Sequence, residues 1–138
     1  MHRGIRLTLA VVAGVVCAFA LIATIEAVGH AVYPPPRGVD FSKPEEARRA
    51  IAALPAGALW LVIVAWTAGA FGGGVVAALI ARPSPRLVAG VVGVFVLAAT
   101  IANLILLPHP TWVAIAGVAG IVAGAWAAGR LVVPSPES

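Results

Sequence analysis

Apolar residues dominate the chain in four long runs, at about residues 7–32, 56–81, 87–107 and 112–133, and polar residues collect in the gaps between them. Each run reaches the roughly 20 residues that an α-helix needs to cross a bilayer at about 1.5 Å per residue. The pattern predicts an all-α protein, an integral membrane four-helix bundle formed by residues 1–138 as a single domain. The first run is expected to be a retained helix. Arg3 and Arg6 would suit the start of a signal peptide, and "AFA" at residues 18–20 resembles a cleavage site. A signal peptide's apolar region, however, runs only about 7–15 residues, and this one continues well past that point.

The gap at residues 33–55 is the only long loop. It opens with "YPPPRGVD", which prolines hold extended by fixing φ and biasing the preceding residue away from helix. "SKPEEARRAIAAL" then predicts a short amphipathic helix, with Ser42 as cap and Glu45 at the capping-box position. Its apolar positions Ala47, Ile51 and Leu54 are expected to lie along the membrane surface. Trp60 and Trp112 fall near the outer ends of their helices, where an aromatic belt would place them, while Trp66 and Trp126 fall deeper.

Composition agrees with the membrane reading. The chain is 62% hydrophobic and 10% charged, against roughly 25% charged in soluble domains, and its mean hydropathy is +1.06. The net charge of +4 supplies no nucleic-acid surface, because the nine Lys and Arg are scattered between apolar runs. They bear on orientation instead. Arg3, Arg6, Arg82, Arg86 and Arg130 fall on one side of a four-span chain, joined by no acid except the terminal Glu137. Arg37, Lys43, Arg48 and Arg49 fall on the other, interleaved with Asp40, Glu45 and Glu46. Basic residues favour the cytoplasmic side, so both termini are expected there. The lone Cys17 can form no intrachain disulfide and reads as a small packing residue.

Two GxxxG pairs, Gly69 with Gly73 and Gly120 with Gly124, mark faces where helices approach closely. They serve either a specific homo-oligomer face or, as a small bundle already requires, the internal helix contacts. The ionisable residues are more unusual. Glu26 and His30 stand four apart and share one side of the first helix near its outer end. The third span brings Asn103, and just after it His109, to the same level. Tyr33, Asp40 and Thr67 are weaker candidates for the same group. Polar groups within a span face the protein interior or water by default. The set reads as a structural hydrogen-bonded cluster, as a proton- or ligand-linked site, or as a metal site with Glu26, His30 and His109 as ligands.

The motifs "EAVGHAVYPPP", "LPAGALWLVIVAWTAGAFGGGVVA" and "NLILLPHPTW" together resemble a group of small four-helix bacterial integral membrane proteins of unassigned function, marked by EAxGHxxYPPP and PHPxW. That resemblance implies the four-span fold and nothing about activity; the expected location is the cell (inner) membrane. Small multidrug-resistance transporters also carry a glutamate in helix one, but near mid-membrane and in shorter chains.

No HExxH, GxSxG or phosphate-cradling glycine loop is present, and no nucleophile accompanies Glu26 and His30. Enzyme chemistry is disfavoured and no cofactor is implied. The expected partners are the lipid bilayer and a second copy or another membrane protein. The leading expectation is a non-enzymatic bundle acting through helix association. The alternative is a small transporter or channel with a site at Glu26, His30 and His109.

Overall fold

The computed structural model describes residues 2–134, so the terminal Glu137 lies outside the described residues. Five helices follow one another: α1 (Arg3–Val32), α2 (Pro44–Ala52), α3 (Ala56–Ile80), α4 (Pro85–Leu106) and α5 (Thr111–Leu131). No strand occurs among the described residues. α1, α3, α4 and α5 are each long and apolar enough to cross a membrane. α1 begins four residues before the apolar run, because exposed Arg3 and half-buried Arg6 are good helix formers that carry the helix outward.

Proline sets the helix starts. Pro44 and Pro85 occupy the first turns of α2 and α4, where a missing N–H costs nothing, and Pro55 and Pro110 immediately precede α3 and α5. The fixed φ of proline stands in for side-chain caps, and no helix has one.

α3 is the central helix and touches α1, α4 and α5; α4 also touches α1 and α5. Its contact with α1 is a backbone contact. The residues α1 buries are Ala10, Gly14 and Ala18, a single seam of small residues at four-residue spacing. A Cβ at Gly73 would collide with the Gly14 carbonyl oxygen and stand 2.7 Å from the Ala18 Cβ. One at Gly69 would lie 2.6 Å from Ile22. On the opposite side of α3, a Cβ at Gly124 would meet the Thr67 carbonyl oxygen at 2.9 Å, and one at Gly120 would overlap the Thr67 hydroxyl. Both GxxxG pairs are therefore consumed inside the bundle. Trp66 is 3% exposed and lies over Gly117 of α5, whose missing side chain makes room for the ring.

Arg3, Arg86 and Arg130 gather at one end, away from the basic residues of the loop. Arg3 Nη2 donates to Ser84 Oγ at 3.5 Å, tying the start of α1 to the α3–α4 turn. Gly129 sits against Arg86, which brings Arg130 to the same level. Trp126 faces outward: it is 62% exposed, with the Arg130 guanidinium 4.8 Å from its ring centroid. At the other end Trp60 and Trp112 stack on one another at 5.5 Å, both exposed.

The long loop is ordered differently from the capping-box expectation. The helix begins at Pro44, one residue later than a Ser42 cap requires, so Glu46 rather than Glu45 reaches back. Its Oε2 accepts from the Asp40 N–H at 3.0 Å. Ser42 caps nothing; its N–H and hydroxyl both donate to Asp40 Oδ1, at 3.0 and 2.5 Å. These bonds, the hydroxyl's first, hold the exposed Asp40 carboxyl below its usual range. Gly38 supplies the left-handed turn, φ 78°, that leads out of the proline run. Ala47, Ala50 and Ile51 of α2 are buried, so its apolar face lies on the protein, with Glu45, Arg48 and Arg49 pointing outward.

Gly73→Ala is expected to lower stability by about 1–3 kcal/mol, since a single methyl overpacks the α1–α3 seam. Gly90→Ala in α4 is the matched control, because nothing lies within 4 Å of its Cβ position; it should be neutral or stabilise by up to about 1 kcal/mol through helix propensity. Melting temperatures of the two variants in mild detergent check both. Equal effects would show that the seam is looser than described.

Candidate functional site

At the end opposite Arg3, Arg86 and Arg130, a cavity of about 220 Å³ opens between the helix ends and the loop. α1 contributes Glu26, Gly29 and His30; α4 contributes Asn103 and Leu107; His109 follows in the α4–α5 turn. The four polar residues expected to meet do meet, on the wall of one cavity. They arrive for separate reasons. The four-residue spacing on α1 turns Glu26 and His30 the same way. The short "PHP" turn keeps His109 beside the end of α4.

Of the weaker candidates, Tyr33 joins them and the other two do not. The Tyr33 ring lies on α3 against Gly57, where any side chain would collide with its hydroxyl. Asp40 is exposed at the start of α2 and bound to Ser42, and Thr67 faces Gly120 in the α3–α5 interface. The remaining walls are apolar and come largely from the loop: Phe41, Ala50, Ile51 and Leu54, with Leu61 and Val62 of α3. Sequence reading assigned the stripe on α2 to the membrane surface and so missed it as a cavity wall. The signal was there, in an amphipathic helix tethered close to the ionisable pair.

The polar groups meet without pairing. No hydrogen bond or ion pair joins Glu26, His30, Asn103 and His109 to one another. Asn103 Oδ1 is buried and has no hydrogen-bond partner in the protein. His109 turns its Nδ1 to the Leu107 carbonyl at 2.7 Å. A carbonyl only accepts, so Nδ1–H donates, and Nε2 is the ring nitrogen left facing the cavity, an acceptor in that tautomer. The buried Trp66 ring stands edge-on to His109, 6.0 Å between centroids, and holds the imidazole from below. Glu26 is half-buried and His30 exposed. The cavity thus offers acceptors: a carboxylate, an amide oxygen and an imidazole nitrogen.

A metal centre is a poorer match to this arrangement. Among the described residues no three His, Cys, Asp or Glu side chains converge closely enough to hold a metal ion, so Glu26, His30 and His109 share a cavity without forming a ligand set. Compared with family models, curated proteins and solved structures, the chain has no match.

An unpaired buried acceptor costs about 1–3 kcal/mol. Asn103→Leu removes it at similar volume and is expected to raise the stability of the ligand-free protein by about 1 kcal/mol, read as a higher melting temperature in detergent. A fall in melting temperature would mean that Asn103 has a partner within the fold.

Proposed function

We propose that this is a non-enzymatic integral membrane protein whose crevice binds a small cation bearing hydrogen-bond donors, of the protonated-amine class. The observation that carries the reading is the convergence of Glu26, Asn103 and His109 on one cavity without bonds among them. A polar cluster serving only to fix helix packing would satisfy its groups mutually, since unpaired buried polar atoms are expensive. Here the acceptors are left for a donor from outside. The cavity is smaller than the ~300–1,000 Å³ of drug-sized pockets, which limits the ligand to a few heavy atoms. Apolar walls from the loop and α3 would cover its hydrocarbon part. The walls contain no Ser, Thr, Cys or Lys, which supports binding over covalent catalysis.

A role built on helix association through glycine faces has less support. Gly69, Gly73, Gly120 and Gly124 all meet partners within the chain, and none is left to dock a second protein. A proton-linked variant of the binding reading involves the same Glu26.

In the ligand test, small alkylammonium ions at millimolar concentration are expected to raise the melting temperature of the purified protein, and neutral alcohols of the same shape are not. Glu26→Gln keeps the shape and removes the charge, and should abolish the cation effect. No cation-specific shift, or the same shift in Glu26→Gln, would refute the reading.

The proposed orientation puts both termini in the cytoplasm of a bacterial inner membrane and the crevice mouth outside, from the unmixed basic charge at the far end. A reporter that works only in the cytoplasm should be active when fused after Ser138. Activity of a periplasmic reporter there would reverse the direction from which the ligand enters.

A further inference from the structure

A second concavity lies on the outside of the bundle, between α4 and α5, with a volume of about 380 Å³. Its walls are apolar along their length: Gly90 and Leu97 from α4, and Val122 and Trp126 from α5. Arg86 and Arg130 close it at the basic end. We propose that this groove seats an acyl chain of an anionic phospholipid whose phosphate is held by Arg86 and Arg130.

Three observations select that occupant. The first is length. From Arg86 to Leu97 the groove follows eleven residues of α4, about 16 Å at ~1.5 Å per residue, which matches half of a ~30 Å hydrocarbon core, one leaflet. The second is charge. Neither arginine has an acidic partner among the described residues, and both sit where a helix of spanning length ends, at headgroup depth. Guanidinium groups bind phosphate oxygens in a planar, two-pronged fashion. Two of them at one groove mouth suit a lipid phosphate better than a zwitterionic headgroup whose own ammonium would be repelled. The third is shape. Gly90 leaves open space, with nothing within 4 Å of its Cβ position. Trp126 stands exposed beside it with Arg130 over its ring, which fixes the guanidinium at the rim. A second protein copy would have to bury both arginines against apolar surface, and no acid on the outer faces of α4 or α5 could meet them.

The test uses the full chain in mild detergent, titrated with phosphatidylglycerol or phosphatidylcholine and read by native mass spectrometry and melting temperature. Phosphatidylglycerol should bind and stabilise at least about tenfold more effectively than phosphatidylcholine. Arg86→Gln with Arg130→Gln should remove that preference. Arg82→Gln, which takes a charge from the same end but does not line the groove, should keep it. Gly90→Leu starts from a Cβ position with nothing within 4 Å and extends into the groove, so it should weaken lipid binding while the lipid-free melting temperature holds or rises. Equal binding of both lipids, equal loss with Arg82→Gln, full binding by Gly90→Leu, or a dimer that excludes lipid from the groove would each overturn the proposal.

Discussion

Everything else in this fold depends on how closely α1 can approach α3. Gly73 and Gly14 meet backbone to backbone, with Ala18 beside them. In a bilayer no hydrophobic effect drives helices together, because lipid tails are as apolar as leucine. Close van der Waals contact between small residues must do it. α1 has little else to offer: the residues it buries are Ala10, Gly14 and Ala18. Without that seam, Glu26 and His30 would belong to a separate helix in lipid, and no cavity would gather them beside Asn103.

The seam was half legible in the sequence. Gly69 and Gly73 stood out as a GxxxG pair, but their partners on α1 did not, because Ala10, Gly14 and Ala18 form a small-residue stripe with only one glycine in it. The four spans were legible throughout, since hydrocarbon allows so few ways to satisfy a backbone. Which polar residues share a level was legible as well, because helix direction alternates from span to span. The loop was not. Its docking is decided by where Ile51 and Leu54 find a surface, and an amphipathic stripe looks the same whether it faces lipid or protein. The start of α2 shows a finer limit. Pro44 shifts the first turn by one residue, and that changes which glutamate bonds back to the chain and leaves Ser42 serving Asp40. Trp66 and Trp126 show a further limit: depth along a helix can be counted, but whether the ring faces the core, as Trp66 does, or the outside, as Trp126 does, depends on partners that counting does not supply.

The two concavities, one toward each end of the bundle, have opposite chemistry. One carries guanidinium groups, donors that cannot lose their protons, above an apolar channel. The other carries acceptors held apart by packing: an imidazole pinned through Nδ1, an amide oxygen with no partner, and a half-buried carboxylate. The separation follows from topology. The turns at the first end are short and pass close to the N-terminus, while the second end has the only stretch of chain long enough to fold a helix back over the opening.

The narrow contact on α1 has a mechanical side. Gly14 and Glu26 are twelve residues apart on one continuous helix, about 18 Å at ~1.5 Å per residue. The small-residue seam is the tightest part of a contact that continues outward through Ile22 against Gly69 and Gly29 against Leu61, so a shift at the seam is passed along the helix. Tilting it by about 5° carries Glu26 through about 1.6 Å, roughly half a hydrogen-bond length. How closely α1 sits on α3 therefore also sets where the carboxylate on α1 stands relative to the amide on α4.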